Sequence, residues 1–93
     1  MMKGCIYYIN GSFVKSEDAH VSFEDGGFQR GNAIFETIRF KKNHLFHINS
    51  HIERLRKGLE YLEFKIDKTN DELIKLMLQT LSKNDIKYGA INL

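Results

Sequence analysis

Ala33-Ile34-Phe35-Glu36-Thr37-Ile38-Arg39-Phe40-Lys41-Lys42 is the stretch on which the fold turns. Side chains alternate faces along an extended strand, so residues two apart share a face. Ile34, Glu36, Ile38 and Phe40 then point one way, and Phe35, Thr37 and Arg39 the other. The first face is mostly apolar and reads as core. The second sets an aromatic ring, a hydroxyl and a guanidinium in one row. This alternation predicts the longest strand of the domain.

Downstream, Lys42-Asn43 suggests a turn, with Leu45 and Phe46 in a returning strand. Ser50-His51-Ile52-Glu53 has the form of a capping box, in which a hydroxyl and a glutamate satisfy the first N–H groups of a helix. It predicts a helix from His51 to about Phe64. Ile52, Leu55, Leu59 and Leu62 fall on one face of that helix, and His51, Arg54 and Gly58 lie together on its flank. Glycine costs about 1 kcal/mol against alanine inside a helix, so Gly58 either leaves room for something packed close by or is simply a poorly optimised position. Thr69-Asn70-Asp71-Glu72 is a second capping box, followed by the apolar face Leu73, Ile74, Met77, Leu78 and Leu81. Asn84-Asp85 closes this second helix, and Lys87 to Leu93 reads as another strand. The chain stops on Ile91-Asn92-Leu93 with no turn after it, which reads as a truncation.

Upstream, two β-rich runs, Cys5 to Ile9 and Ser12 to Val14, flank Asn10-Gly11, a strong short-range hairpin signal. His20-Val21-Ser22-Phe23 reads as a short strand ended by Asp25-Gly26-Gly27. The order is a β-meander, two helices and a strand. It predicts an α+β domain with two helices on one side of a largely antiparallel sheet.

The 93 residues are one domain by size. Charged residues make up 28% of the chain but balance to a net +2, and they are interleaved, so no nucleic-acid stripe is expected. No apolar run approaches the roughly 20 residues of a membrane span. Cys5 is the one cysteine, expected as a small buried residue of the first strand in a reducing cytoplasm. His44, His47 and His51 are close in sequence, but a helix capped at Ser50 leaves His47 outside it, and no metal site is expected. The glycine segment Gly26-Gly27-Phe28-Gln29-Arg30-Gly31 is neither a dinucleotide fingerprint nor a phosphate-binding Gly-Lys-Ser/Thr loop. Arg39 and Arg54 remain as anion-binding candidates, because the planar guanidinium fork suits phosphate and carboxylate.

Together these residues resemble the class IV aminotransferases, the fold-type IV pyridoxal-phosphate enzymes. That group includes branched-chain and D-amino-acid aminotransferases and aminodeoxychorismate lyases. The likeness starts at Tyr8-Ile9-Asn10-Gly11 and continues through Phe28-Gln29-Arg30-Gly31-Asn32-Ala33-Ile34-Phe35-Glu36-Thr37-Ile38-Arg39. His51-Ile52-Glu53-Arg54-Leu55 follows at the family's spacing, so the likeness covers nearly the whole chain in order.

The resemblance implies the small N-terminal domain, residues 1–93, of a two-domain enzyme. In such an enzyme Arg54 matches the arginine that holds the phosphate of pyridoxal 5'-phosphate. Phe35, Thr37 and Arg39 match strand residues facing the substrate pocket, and Arg30 matches a loop position that reaches a substrate across a dimer interface. Asn92 stands where branched-chain aminotransferases carry a carboxylate-binding arginine. Thr37 replaces their usual glycine and leans toward the lyase branch. The cofactor-bearing lysine of the family belongs to the other domain, and Lys41, Lys57 and Lys75 do not match its motif. The expected activity is amino-group transfer from an amino acid to a 2-oxo acid, in a cytoplasmic homodimer. The alternatives are formation of 4-aminobenzoate and pyruvate from aminodeoxychorismate, and a non-catalytic anion-binding or dimerising module.

Overall fold

The computed structural model describes residues 5–20 and 34–93. Strand β1 (Ile6–Ile9) turns at Asn10-Gly11 into β2 (Ser12–Lys15), with Ile9 opposite Ser12 and Tyr8 opposite Phe13. Both turn residues have positive φ, 51° at Asn10 and 86° at Gly11. A two-residue hairpin needs that geometry to match strand twist, and glycine adopts it without a Cβ penalty. A short 3-10 turn, Ser16–Asp18, follows. Cys5 is half-buried and lies just before β1, so it is less enclosed than expected and outside the strand.

Strand β3 (Thr37–Lys41) is the centre of the second sheet. It pairs antiparallel with β4 (His44–Leu45) on one side and with β5 (Tyr88–Asn92) on the other. Leu93 extends the β3–β5 ladder by exchanging two backbone bonds of 2.9 Å with Glu36. Among the described residues, the antiparallel pairing expected of one sheet is divided between a two-stranded and a three-stranded sheet. The reading of His20 to Phe23 as a strand falls mostly outside the described residues, and His20 itself is not in one.

Helices α1 (Ile48–Tyr61) and α2 (Asn70–Asn84) pack on one side of β3. The core joins Ile38 and Phe40 of β3, Leu45 of β4, Ile52 of α1, and Met77 and Leu81 of α2. Ile38 and Ile52 are essentially sealed from water, at 0% and 1% exposure. The hairpin is tied in by Asn84 at the end of α2. Its Oδ1 accepts from the Ile6 N–H at 2.7 Å and its Nδ2 donates to the Ile6 carbonyl at 2.8 Å.

Three helix ends test the capping signals. α2 begins as predicted: Thr69 Oγ1 accepts from the Glu72 N–H at 3.1 Å, and Glu72 Oε1 accepts from the Thr69 N–H at 2.9 Å. α1 corrects the expectation at Ser50. The helix starts two residues earlier, with His47 as the cap in a left-handed conformation and no side-chain capping bond, and Ser50 lies inside. Ile48 packs against the core there, and the early start is what turns it inward. α1 also stops at Tyr61, short of Phe64, because Glu63 turns left-handed (φ 61°).

Candidate functional site

The predicted alternation of β3 holds. Glu36, Ile38 and Phe40 are buried beneath the helices, while Phe35, Thr37 and Arg39 are exposed on the other face. Helix α1 then decides what happens at Glu36. His51, Arg54 and Gly58 lie at helical spacing on the flank facing the start of β3. Gly58 meets Ile34: a Cβ at position 58 would sit 2.6 Å from Ile34 Cδ1. The close neighbour that this glycine hints at is the Ile34 side chain, in the segment leading into β3.

Glu36 is 8% exposed, so its carboxylate needs partners. His51 Nδ1 lies 2.8 Å from Oε1. Arg54 lies along the carboxylate, with Nε 3.1 Å and 3.0 Å from Oε1 and Oε2, and Nη2 2.7 Å from Oε1. These bonds, from Arg54 first and His51 second, hold the Glu36 carboxyl down at about 2, against an ordinary 4.5. In turn the carboxylate raises the Arg54 guanidinium further above its usual value. The arginine is nonetheless 72% exposed along its side chain. Glu36 occupies its Nε–Nη2 edge, and no other described residue bonds to the rest of the guanidinium. An arginine has five N–H donors in one plane, so an edge is left that suits a phosphate or carboxylate oxygen pair.

The uncovered face of β3 is a second constellation. Thr37 stands directly opposite Asn92 on β5, and its Oγ1 donates to Asn92 Oδ1 at 2.8 Å. Arg39 stands opposite Ala90, and Phe35 is 70% exposed beside them. Among the described residues no hydrogen bond or ion pair joins Arg54 to Phe35, Thr37 or Arg39. Arg54 grips the strand from the helix side, at the residue between Phe35 and Thr37. Arg30, with the rest of the glycine segment, lies outside the described residues.

Among the described residues there is no group of three His, Cys, Asp or Glu side chains close enough to hold a metal ion. His47, rather than Ser50, caps α1, and its carbonyl accepts from the His51 N–H at 3.1 Å. The His51 ring is committed to Glu36 instead. An open concavity of about 780 Å³ lies where α1 leads into α2, lined by Arg56, Leu59, Phe64 and Ile66 among others. None of the candidate residues lines it. Among the described residues no helix is long and apolar enough to cross a membrane.

Glu36, which joins Arg54 and His51, is the member of this cluster that motif reading passes over. The signal was available: a carboxylate on an otherwise apolar strand face demands a buried donor.

An antiparallel sheet backed by two helices, with an arginine held against Glu36 at the start of its central strand, defines a small α+β domain. Residues 33–93 match the family described as amino-transferase class IV, and the chain belongs to that family. It is 39% identical over 84 residues to a D-alanine aminotransferase of Staphylococcus epidermidis, covering 90% of this chain and 30% of that protein. It is 35% identical over 82 residues to the aminodeoxychorismate lyase of Bacillus subtilis, covering 88% of this chain and 28% of that one. Among solved structures, a branched-chain amino acid aminotransferase from Escherichia coli superposes with a TM-score of 0.86 at 26% identity. That match covers 97% of this chain and 32% of the other. The chain therefore spans about 30% of the length of the curated relatives it matches.

Proposed function

We propose that these residues form the N-terminal domain of a pyridoxal-phosphate-dependent enzyme that moves the amino group of an amino acid to a 2-oxo acid. The observation that carries the reading is the Arg54 guanidinium, fixed along one edge by Glu36 and, among the described residues, open along the other. Its donors fit the phosphate of pyridoxal 5'-phosphate in number and plane. When bound, that cofactor draws electrons from the substrate α-carbon through its pyridine ring. Arg54 holds its phosphate at the start of β3. Thr37, with Asn92 as its partner, Arg39 and Phe35 form a wall toward the substrate, and Arg30 reaches the site from its loop. The lysine that carries the cofactor belongs to sequence other than these residues.

The chain's likeness to a D-alanine aminotransferase supports amino transfer as the reaction. A second reading is the lyase that forms 4-aminobenzoate and pyruvate from aminodeoxychorismate. The Thr37 hydroxyl, the relative of that name and the absence of an arginine at Asn92 favour it. In either case we place the enzyme in the cytoplasm, as a homodimer.

Replacing Arg54 by alanine in the full-length protein tests the first step. Charge-assisted contacts of this kind are strong, so affinity for pyridoxal phosphate is expected to fall about tenfold or more. Spectrophotometric retention of cofactor after dialysis, equal to that of the unaltered protein, contradicts the assignment.

A further inference from the structure

Glu36 touches neither cofactor nor substrate in the proposed function, yet its geometry governs Arg54, which does. A carboxylate can only accept, so His51 carries its hydrogen on Nδ1 and donates across 2.8 Å. Arg54 is laid side-on, through Nε and Nη2. That leaves the end-on edge, Nη1 and the second Nη2 hydrogen, as the part of the fork open to a ligand. An arginine 72% exposed and otherwise unheld samples many rotamers, and here the plane and direction of the fork are set by a carboxylate that is itself buried. One helical turn on, the missing Cβ of Gly58 lets Ile34 lie against α1, which keeps the start of the strand, and Glu36 with it, close to Arg54.

We infer that Glu36 is a positioning residue of this anion site: it holds Arg54 so that the end-on edge meets a phosphate monoester, and His51 holds Glu36 in turn. The inference rests on the proposed role of Arg54. Removing the carboxylate has two opposing effects. The phosphate loses a negative neighbour, which favours binding, and it loses a guanidinium held in place, which disfavours it. The carboxylate is already matched by two donors, and solvent around the exposed arginine screens repulsion across the fork. The loss of order therefore decides the sign.

The test is the affinity of the full-length apoprotein for pyridoxal phosphate and for pyridoxal, with the ratio isolating the phosphate. Glu36→Gln and Glu36→Ala are expected to lower that ratio about fivefold while leaving pyridoxal affinity in place. Arg54→Ala is expected to lower it further. A ratio that rises in the Glu36 variants means the carboxylate merely repels phosphate. A parallel fall in both affinities means Glu36 only supports the fold. Either result overturns the inference. An unchanged ratio in Arg54→Ala sinks the reading of Arg54 and this inference with it. A response in Arg54→Ala with none in the Glu36 variants sinks this inference alone. Should both Glu36 variants fail to fold, the unaltered protein still decides. A single Arg54 Nε–H resonance with slow hydrogen exchange is expected, and a rapidly exchanging, averaged one overturns the inference.

Discussion

Glu36 keeps its charge because two donors from α1 converge on it, Arg54 side-on and His51 at 2.8 Å. Folding holds its carboxyl at about 2, while the unfolded chain titrates near 4.5. As pH falls, the unfolded chain takes up the proton first. The stabilisation from this group is therefore complete above 4.5 and drains away between 4.5 and about 2. The urea midpoint is expected to drop through that window, and to drop less steeply in Glu36→Gln; equal slopes in the two proteins would show that Glu36 is not the group responsible. At this scale the sequence was partly legible. Strand alternation put Glu36 on the covered face and Thr37 on the open one, and helical spacing put His51, Arg54 and Gly58 together. The partnership itself was not legible, because the donors lie 15 and 18 residues away on another element. The Thr37–Asn92 bond is more remote still, spanning 55 residues through strand register.

The ends of the helices show where local signals suffice and where packing takes over. Thr69 and Glu72 form their box because nothing in the core competes for that turn. Ser50 and Glu53 have the same spacing, but the burial of Ile48 pulls the start of α1 forward and leaves both on the helix surface. The far end of α1 closes by a Schellman arrangement. The Phe64 N–H donates to the Leu59 carbonyl at 2.9 Å and the Glu63 N–H to the Glu60 carbonyl at 3.0 Å. The left-handed residue of that motif is commonly glycine, which is why a sequence carrying glutamate there gave no stop signal. A left-handed conformation costs an L-residue roughly 1–2 kcal/mol, part of which glycine returns through its freer unfolded state. Glu63→Gly is thus expected to stabilise the protein by about 0.5–1 kcal/mol in chemical denaturation. A loss of stability would mean that the Glu63 side chain makes a contribution larger than its backbone strain.

For the whole molecule, the fold follows from one rule applied twice: a half-apolar strand must be covered, and two amphipathic helices cover it. Ile38, Phe40, Ile52, Met77 and Leu81 record that closure. The division of the described strands into two sheets was not legible, because short runs of β-formers carry no mark of which partner they will choose. Among the described residues the hairpin is tied to the rest by the Asn84 amide, which read only as the end of a helix, and by Lys83, whose Nζ lies 4.7 Å from the centre of the Phe13 ring. Among the described residues the covering leaves one side of β3 exposed and one edge of Arg54 without a partner, and the proposed function uses that asymmetry as one wall of a site. Phosphorus NMR of the cofactor-loaded full-length protein tests the central claim most directly. With Arg54 in place the bound phosphate is expected to stay dianionic, giving a shift that does not move between about pH 6 and 8, where a free phosphate monoester titrates near 6. In Arg54→Ala it is expected to titrate like the free ester. A bound phosphate whose resonance is the same, at every pH, with and without the arginine would contradict the account.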